Sequence, residues 1–580
     1  MNIEKILMQV EKPGRYLGSE LNSIHKTSEV PLRIVICYPD LYEVGMSNLG
    51  ISIIYHRLNQ EPEFWCERAF APALDLEKKL RESHLYLFSL ESRTPLKDFD
   101  LIGFSLQYEL TYPQVLNMLE LGGVPIRTED REKKDPVVVA GGPCTANPEP
   151  MAPFFDAMLL GDGEEASVEI ARAVLDYKMG AISTRTELHS VLSKIPGVYV
   201  PSLFEPEFSE SGIILSWKKR EEIVWPVKSR KVKDLDSAFF PVKPILPGIE
   251  TIHDRAQVEL FRGCIRGCRF CEAGFLYRPR RFKRPETIIS QAREILKNTG
   301  WEELGLVSLS TCDYPWLEQV LRTLEPDLRK MRVQISLPSL RADSFSVNIA
   351  KLAMGSNITL TFAPEAGTQR LRNIIGKDLN EEEILEAIRL AAQNGFSRIK
   401  LYFMVGLPGE TEKDLEGIVN LVLKLNQEAR SINRKIHLSV SCSGFVPKPQ
   451  TPFQWEKMEE LSELKRKRYF IRSRLEQRGI EVGGQKEELS FLEGVIARGD
   501  RRVADVIEAT WRNGSRLDGW SDHFSWERWE KAFEACGIDP LFYLYRKRDK
   551  SESLPWEGAF YTAGKEYLYR ERVRALSGNE

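Results

Sequence analysis

Cysteine is scarce in this chain. Nine cysteines occur among 580 residues, which is too few for a disulfide framework, and an odd number cannot pair completely. Six of them are scattered, and each is expected to be a small buried apolar residue. They are Cys37, Cys66, Cys144, Cys312, Cys442 and Cys536. The other three stand within eight residues of one another, so they need a different explanation.

Long apolar runs and an excess of one charge are also missing. No segment approaches the roughly 20 apolar residues that span a bilayer. The opening residues, MNIEKILMQVEKPGRY, contain neither the apolar core nor the cleavage site of a signal peptide. The formal net charge of −3 provides no global attraction for nucleic acid, although a local basic patch remains open. These absences predict a cytoplasmic protein with no membrane partner.

The length and the patterning predict several α/β units. A chain of 580 residues is too long for one hydrophobic core. Residues 251–456 alternate apolar strands and amphipathic helices in six units, which is typical of a parallel sheet, either open or curled into an incomplete (βα)6 barrel. Residues 1–180 predict a Rossmann-like, doubly wound sheet with Gly, Ser and Pro at its strand ends. Residues 181–250 are interpreted as a connector and 457–580 as a helical C-terminal domain.

The strands of the two α/β units are short and apolar. Those expected in the first unit are RIVICYP, LIGFSLQ, PVVVAGG and DAMLLG. Those expected in the second are QVELFRG, GLVSLST, VQISLPS, NITLTFAPE, RIKLYFMVG and IHLSVSCSGF. In both arrangements the ligand is expected at the carboxyl ends of the strands.

The clustered cysteines, Cys264, Cys268 and Cys271, follow the first strand of the central unit in FRGCIRGCRFCEAGFLYRP. Three thiolates at this spacing can converge on one metal centre, and Gly263 and Gly267 allow the backbone to fold tightly around it. The neighbouring sequence offers no fourth ligand for structural zinc. A four-iron cubane held by three thiolates keeps one iron open for a substrate or cofactor. An iron–sulfur cluster is therefore favoured over zinc and over three unrelated buried cysteines.

This motif resembles that of the radical S-adenosylmethionine (SAM) enzymes. In that superfamily three such cysteines hold a [4Fe–4S] cluster, whose open iron binds SAM, and reductive cleavage of SAM yields a 5′-deoxyadenosyl radical. The resemblance implies both cofactors and a reductant such as flavodoxin or ferredoxin. It also implies a SAM-binding role for Phe270, which would pack beside the adenine, for Glu365 in LTFAPEAGTQ, and for Gly406, Pro408 and Gly409 in YFMVGLPGET.

Plainer readings of these SAM-binding residues remain open. Glu365 can instead form an ordinary ion pair with Arg370 or Arg372. The Gly-Pro-Gly turn can simply end a strand. Both alternatives are decided by where the side chains lie.

The N-terminal unit contains PDLYEVGMSNLG, which resembles the DxHxxG motif of cobalamin-binding methyltransferases. Asp40 and Gly45 match this motif, whereas Tyr42 stands where the family has the histidine that binds cobalt. Without that histidine the cobalt receives no imidazole from this loop. Tyr42 is therefore expected either to lie under the cobalt or only to fill space.

Two further strand ends carry the same resemblance. Ser105, and the pair Gly141 and Gly142, match the loops that line the nucleotide tail of cobalamin in that fold. Residues 30–455 taken together are similar to radical SAM proteins with an N-terminal cobalamin-binding domain. Cobalamin is thus a candidate third cofactor, and a degenerate domain that binds nothing is the alternative.

A basic run, YRPRRFKRP, follows the cysteine loop and holds five Arg or Lys within seven residues. It is suited to the carboxylate of SAM, a phosphate of cobalamin or an RNA backbone, and a solvated face is the alternative. The later stretch RGDRR predicts an internal ion-pair network. The tryptophans near it, Trp511, Trp520, Trp526 and Trp529, are better explained by core packing than by stacking on nucleic-acid bases.

These features predict a radical SAM enzyme, and the favoured reaction is cobalamin-dependent methylation of an unknown substrate. One alternative is a radical modification of RNA or of a protein without cobalamin. A second is a non-catalytic module that binds an iron–sulfur cluster and cobalamin. No side chain is assigned to the catalytic step itself.

Overall fold

The computed structural model describes residues 3–26, 29–220, 222–337, 359–561 and 563–578. The predicted strands VQISLPS and NITLTFAPE run partly into 338–358, which lie outside the described residues. None of the helices among the described residues combines the length and the apolar character needed to cross a bilayer.

The N-terminal region is a doubly wound α/β sheet, as predicted. Its strands are β1 (Leu32–Tyr38), β2 (Phe64–Phe70), β3 (Leu101–Ser105), β4 (Val137–Gly141), β5 (Ala157–Leu159) and β6 (Val198–Tyr199). Its helices are α1 (Ile3–Leu7), α2 (Tyr42–Gly45), α3 (Leu49–Asn59), α4 (Leu74–Glu82), α5 (Tyr112–Leu121), α6 (Ala166–Lys178) and α7 (Arg185–Leu192). The strand order is β2-β1-β3-β4-β5-β6, parallel except for β6. The order reverses between β1 and β3, and a sheet of this kind opens its ligand crevice at such a point.

Strand β2, FWCERAF, does not alternate apolar and polar residues, so its sequence does not predict a strand. The two charges in its centre, Glu67 and Arg68, are both buried. Glu67 pairs with Arg33, and Arg68 pairs with Glu91 at 2.6 Å and with Glu20 at 3.0 Å. Buried charges need partners. These ion pairs therefore allow the segment to form an edge strand, although its charges are typical of a surface segment.

The predicted connector contains ordered structure. Beyond α7 and β6 it forms a hairpin of β7 (Phe204–Phe208) and β8 (Ile214–Lys219), followed by β9 (Val227–Lys228). The chain then runs beside the end of β5. Arg230 N–H donates to the carbonyl of Leu160 at 2.8 Å, and the N–H of Asp162 donates to the carbonyl of Arg230 at 3.0 Å. This segment therefore lies against the carboxyl edge of the N-terminal sheet.

The central region contains strands at all six predicted positions. The strands are β10 (Ala256–Glu259), β11 (Phe261–Arg262), β12 (Arg281–Phe282), β13 (Glu303–Val307), β14 (Gln334–Ser336), β15 (Thr359–Glu365), β16 (Arg398–Val405) and β17 (His437–Gly444). The helices are α8 (Glu272–Leu276), α9 (Pro285–Thr299), α10 (Leu317–Met331), α11 (Gln369–Ile375), α12 (Glu381–Gln393) and α13 (Glu412–Ile432). Strands β10, β13 and β14 form one parallel sheet, and β15, β16 and β17 belong to another.

Local sequence explains where the helices of the central region begin and end. Helix α9 starts with Pro285 and ends at Gly300, which has a φ of +72°. Helix α12 begins at a capping box in which Asn380 and Glu383 satisfy each other's backbone N–H groups. Apolar residues at helical spacing bury one face of each helix against the strands.

The C-terminal region is mainly helical, as predicted. Its elements are α14 (Leu461–Glu476), β18 (Glu481–Gly483), α15 (Glu487–Arg498), α16 (Val503–Arg512), α17 (Trp526–Cys536), α18 (Pro540–Leu544), β19 (Ala559–Phe560) and α19 (Lys565–Leu576). Strand β18 extends the second central sheet by pairing with β17, and β19 pairs with β9. The C-terminal residues thus take part in structure begun by the two earlier regions.

The charged and aromatic motifs of the C-terminal region are largely internal. In RGDRR, the Arg498 guanidinium is fully buried and donates to backbone carbonyls. Arg501 pairs with Glu149 of the N-terminal region at 3.0 Å, and Arg502 pairs with Asp500 at 2.7 Å. The predicted internal network is therefore confirmed. Trp511, with 6% of its surface exposed, and Trp529, with none, are core residues, and Trp526 packs against the core. The prediction is wrong for Trp520, which is 37% exposed.

Candidate active site

The cysteine loop is closed at its base by a short strand pair. Strands β11 and β12 pair antiparallel, so the residues between them form a loop at the end of β10. Gly263, which enters this loop, has a φ of +90°, and a Cβ there would lie within 3.0 Å of the backbone of Tyr277, Pro279 and Arg280. Only glycine fits this turn.

The three thiols of the loop are half-buried and act on one another electrostatically. Cys271 caps α8, because its Sγ accepts the N–H of Gly274 at 3.4 Å. Burial raises the pKa of Cys268 and raises that of Cys271 to about 12. Burial therefore favours the neutral thiols, whereas a bound metal stabilises the thiolates and lowers their pKa.

The donor set of this loop fits a cluster better than a single metal ion. Among the described residues, no three His, Cys, Asp or Glu side chains are arranged to hold one ion. The thiolates of a cubane bind different irons and need not meet at one point. Three thiols on one loop are therefore suited to bind three different irons of a cluster.

Two arginines that the motif did not predict hold the cysteine loop in place. Arg266 pairs with Asp313, in the segment after β13. Arg269 donates its backbone N–H to the carbonyl of Ile375 at 2.8 Å, and its guanidinium donates to the carbonyl of Asn373 at 2.9 Å. These carbonyls end α11, where a positive charge is favourable. Arg269 also lies 3.4 Å from Glu571 of α19, so the loop is fixed from both sides.

Phe270 and the Gly406–Gly409 turn lie near one another. Phe270 packs against an apolar cluster that includes Leu407 and Phe445, at the ends of β16 and β17, and Ala575 of α19. The Gly406 N–H donates to the carboxylate of Glu410 at 3.0 Å. Pro408 is half-buried and Gly409 is exposed.

Two charged residues that sequence reasoning missed support this turn. Glu410, which accepts the Gly406 N–H, forms an ion pair with Lys467 of α14 at 2.8 Å. The pair is distant in sequence, and no local pattern joins its members. The Gly-Pro-Gly turn is thus held by a contact with the C-terminal region.

Glu365 lies at the end of β15, where the pairing with β16 is irregular. Its φ of +66° is unusual for a residue with a side chain. Its partner is Lys377, at 3.3 Å, so the alternative of an ion pair with Arg370 or Arg372 is wrong. Arg370 pairs with Asp414, and Arg372 donates to backbone carbonyls.

The carboxyl group of Glu365 is close enough to the cysteine loop for its charge to help raise the pKa of Cys268 and Cys271, after the larger effect of burial. Burial raises its pKa, and the charge of Lys377 opposes that effect. An acceptor is therefore available beside the three thiols. The strained backbone at this position is the kind that is often found in functional sites.

A cavity of about 570 Å³ lies where the N-terminal sheet meets the first central strands. Ser105 and Gly141, the last residues of β3 and β4, line it together with Gly142. Glu259 of β10 and Ser308, which follows β13, line the opposite side. The cavity therefore faces both α/β units.

Several glycines contribute to the wall of this cavity. A Cβ added at Gly103 or Gly141 would make an ordinary contact at 3.9 Å, so glycine at these positions is not required by a clash. Gly142 has a φ of +115°, and a Cβ there would lie 2.4 Å from the carbonyl oxygen of Leu106. Much of the remaining lining is aliphatic, from β1 and α3. The cavity suits a large and partly apolar ligand.

The residues of the DxHxxG-like motif do not line this cavity. Asp40 accepts a hydrogen bond from the Trp520 indole at 2.8 Å. Tyr42 is buried, donates its hydroxyl to Glu20 at 3.0 Å and accepts a backbone N–H at 3.1 Å. Gly45 packs against the ring of Phe70 in β2. This geometry favours the space-filling role for Tyr42 and separates the motif from Ser105, Gly141 and Gly142.

The basic run after the cysteine loop is largely committed to internal contacts. Arg281 is buried and pairs with Asp162 of the N-terminal region. Lys283 is 1% exposed, and burial lowers its pKa to about 8. Arg284 is exposed and pairs with Asp236 at 3.0 Å. A continuous RNA-binding surface is not supported by this arrangement.

A second polar cluster joins the three regions of the chain near Cys271. Lys448, which follows β17, lies 2.5 Å from Glu109 and 3.0 Å from Glu493. Glu272, the residue after Cys271, belongs to the same cluster. Burial raises the pKa of Glu272 to about 8, and the charge of Lys448 opposes this effect. These residues carry no motif and are far apart in sequence, so only the fold brings them together.

Two family models match the chain. "Radical SAM proteins, N-terminal" matches residues 50–201, and "Radical SAM superfamily" matches residues 258–422. Together they cover more than half of the sequence, and the second contains the cysteine loop. The chain belongs to the radical SAM superfamily and is a radical SAM enzyme, for which a [4Fe–4S] cluster and SAM are the family's cofactors.

Relatives extend this likeness over most of the chain. An uncharacterized protein of Methanocaldococcus jannaschii, MJ0966, is 28% identical over 478 residues, which cover 82% of this chain and 90% of the relative. A tRNA-2-methylthio-N(6)-dimethylallyladenosine synthase of Staphylococcus epidermidis is 26% identical over 30% of this chain and 36% of its own length. Among solved structures, the radical SAM methyltransferase TsrM of Kitasatospora setae matches with a TM-score of 0.48 and 14% identity, covering 73% of this chain and 77% of its own.

Proposed function

We propose that Cys264, Cys268 and Cys271 hold the [4Fe–4S] cluster and that SAM binds at its open iron. Bound together, these cofactors supply reductive cleavage of the SAM sulfonium bond, with the electron coming from a donor such as flavodoxin or ferredoxin. The half-buried position of the three thiols and the fixed loop around them support this assignment.

The surrounding residues would then orient SAM and exclude water. Phe270 and the turn at Gly406, Pro408 and Gly409 offer an apolar surface for the adenine. Glu365 offers a carboxylate for the ribose or for the methionine ammonium. Arg269 acts on the loop, which it holds against the end of α11. Each of these residues binds or positions a reactant and leaves the hard chemistry to the cofactors.

We further propose that the 570 Å³ cavity binds cobalamin and that the enzyme methylates its substrate. The observation that carries this proposal is the cavity itself, which lies at the carboxyl ends of the N-terminal strands and opens toward the first two central strands. Gly103 and Gly141 contribute no side chain to the cavity wall, which leaves room for a large ligand. Cobalamin, when bound, supplies a transferable methyl group. The substrate is unassigned; RNA and protein are both candidates.

The test is anaerobic reconstitution of the full-length protein with iron and sulfide, with and without cobalamin, followed by SAM and dithionite. We expect about four irons per protein, 5′-deoxyadenosine, S-adenosylhomocysteine, and cobalamin retained after desalting. Cys268→Ala should lose the cluster and 5′-deoxyadenosine, whereas Cys536→Ala, a half-buried cysteine outside the loop, should lose neither.

Each product reports on a different part of the proposal. Deoxyadenosine without retained cobalamin would contradict the cobalamin assignment and leave a cobalamin-independent radical enzyme. An intact, reducible cluster that yields neither product would contradict the assignment of SAM to this loop. Retained cofactors without turnover would point to a binding module.

A further inference from the structure

We propose that Lys231 binds a phosphate group of the ligand in the 570 Å³ cavity, together with Ser167 and the start of α6. This inference deepens the proposed function, on which it rests, because it names the part of the ligand that the cavity selects. In cobalamin that group is the phosphodiester of the nucleotide tail. A free nucleotide carries the same chemistry.

Backbone pairing places Lys231 at the cavity. The residues on either side of it are hydrogen-bonded to the segment after β5: Arg230 pairs with Leu160 and Asp162, and the Val232 N–H donates to the Asp162 carboxylate at 2.8 Å. The side chain of Lys231 lines the cavity, as do Gly161, Asp162 and Gly163 from the facing segment. Its position is therefore set by backbone contacts and is independent of any ligand.

The charges around the cavity leave the ammonium of Lys231 available. Glu164 and Glu259 are 2.5 and 2.8 Å from Arg262, and Asp162 pairs with both Arg262 and Arg281. Among the described residues, Lys231 forms no ion pair. Its Nζ donates to the Leu276 carbonyl and lies 5.3 Å from the ring of Tyr561. The arginines serve the carboxylates, so the lysine charge remains for a ligand.

Two further groups that can bind an anion belong to the wall of the same cavity. The Ser167 Oγ is buried and has no hydrogen-bond partner within the described part of the chain, yet Ser167 lines the cavity. It stands in the first turn of α6, a helix of 13 residues whose preceding residues Gly163 and Glu164 also line the cavity. A helix start favours anions, and an unpaired buried hydroxyl indicates a missing partner. A phosphate bound by all three groups would give the hydroxyl and the ammonium a charged acceptor at the helix start.

The experiment compares three corrinoids on the full-length protein: cobalamin, cobinamide phosphate, and cobinamide, which lacks the phosphate. The variants are Lys231→Met, Lys231→Arg, which keeps the charge, and Lys233→Met, an exposed neighbour that serves as the control. Dissociation constants are read from the corrinoid absorption spectrum, so the assay is independent of turnover. Circular dichroism and thermal unfolding confirm that each variant is folded.

We expect Lys231→Met to weaken cobalamin and cobinamide phosphate by about 10-fold or more, with cobinamide unchanged. Lys231→Arg should recover most of the loss, and Lys233→Met should have no effect. Equal affinity of the wild type and a folded Lys231→Met variant for cobalamin would overturn the inference, as would an equal loss for cobinamide.

Failure of the proposed function has a different signature. If the wild type binds none of the three corrinoids, cobalamin is excluded as the ligand. A nucleoside monophosphate is then titrated against the same variants. Binding that depends on Lys231 would support the phosphate site with a nucleotide as its source, whereas no binding would overturn both proposals.

Discussion

Replacing Tyr42 by Phe separates the two roles that the cobalamin-like motif leaves open. The tyrosine hydroxyl is buried, donates to Glu20 at 3.0 Å and accepts the Gly248 N–H at 3.1 Å. Glu20 keeps two hydrogen bonds from Arg68 when the hydroxyl is removed. The Gly248 N–H, in contrast, loses its acceptor. The loss of stability should therefore come mainly from the lost hydrogen bond to the Gly248 N–H.

The expected loss in free energy of unfolding is about 0.5–1.5 kcal/mol, the net value of one hydrogen bond, because Gly248 is exposed and water can take the place of the lost acceptor. In thermal unfolding this corresponds to a shift of about 1–6 °C for a domain of about 150–250 residues. Burial also raises the pKa of Tyr42 well above its ordinary value, with the nearby charge of Glu20 acting in the same direction. The hydroxyl is thus protonated and remains a donor throughout the pH range of the assay.

The assay combines urea unfolding with cobalamin retention after desalting. Tyr42→Phe should lose stability and retain cobalamin like the wild type, because Tyr42 does not line the cavity. Tyr86→Phe, whose side chain is 43% exposed, is the matched control and should change neither quantity. Loss of cobalamin retention with unchanged stability in Tyr42→Phe would refute the reasoning and place Tyr42 at the cobalt.

Two further predictions concern buried and loop charges. Although burial opposes it, the bond from His189 and the charges of Arg131 and Arg185 lower the pKa of Asp156; Asp156→Asn should therefore cost about 3–5 kcal/mol in urea unfolding at pH 7. Because this folded pKa is lowered, the stabilisation is present above the unfolded pKa of about 3.9 and fades below it, so wild type and variant should converge in acid; a constant difference would contradict the assignment. Arg269→Met should reduce the iron retained after reconstitution and cost about 1–3 kcal/mol, and unchanged iron content would show that the loop needs no such anchor.

Local sequence patterns were enough to predict the cysteine loop and most strands. The three cysteines and Gly263 lie in one short segment, so a single loop carries their chemistry. The apolar runs of β1, β3, β4, β16 and β17 predict buried parallel strands. Strand β2 was missed because Glu67 and Arg68 are neutralised by partners that only the fold supplies.

The contacts that complete the site lie between residues far apart in sequence. Lys448 meets Glu109 across 339 positions and Arg501 meets Glu149 across 352, so no window of the sequence contains both partners. The pairing of Glu365 with Lys377 was missed for a different reason. The left-handed backbone at Glu365 turns its side chain in a direction that regular strand geometry does not give.

The contacts of β19 and α19 have a consequence for how the protein is made. Tyr561 completes the wall of the 570 Å³ cavity, Glu571 meets Arg269, and Ala575 packs in the cluster that includes Phe270. Both sheets are translated before this segment. Until α19 and β19 have docked, these contacts are missing, so we expect the cavity and the cysteine loop to be more accessible to bulky cofactors during synthesis than in the folded protein.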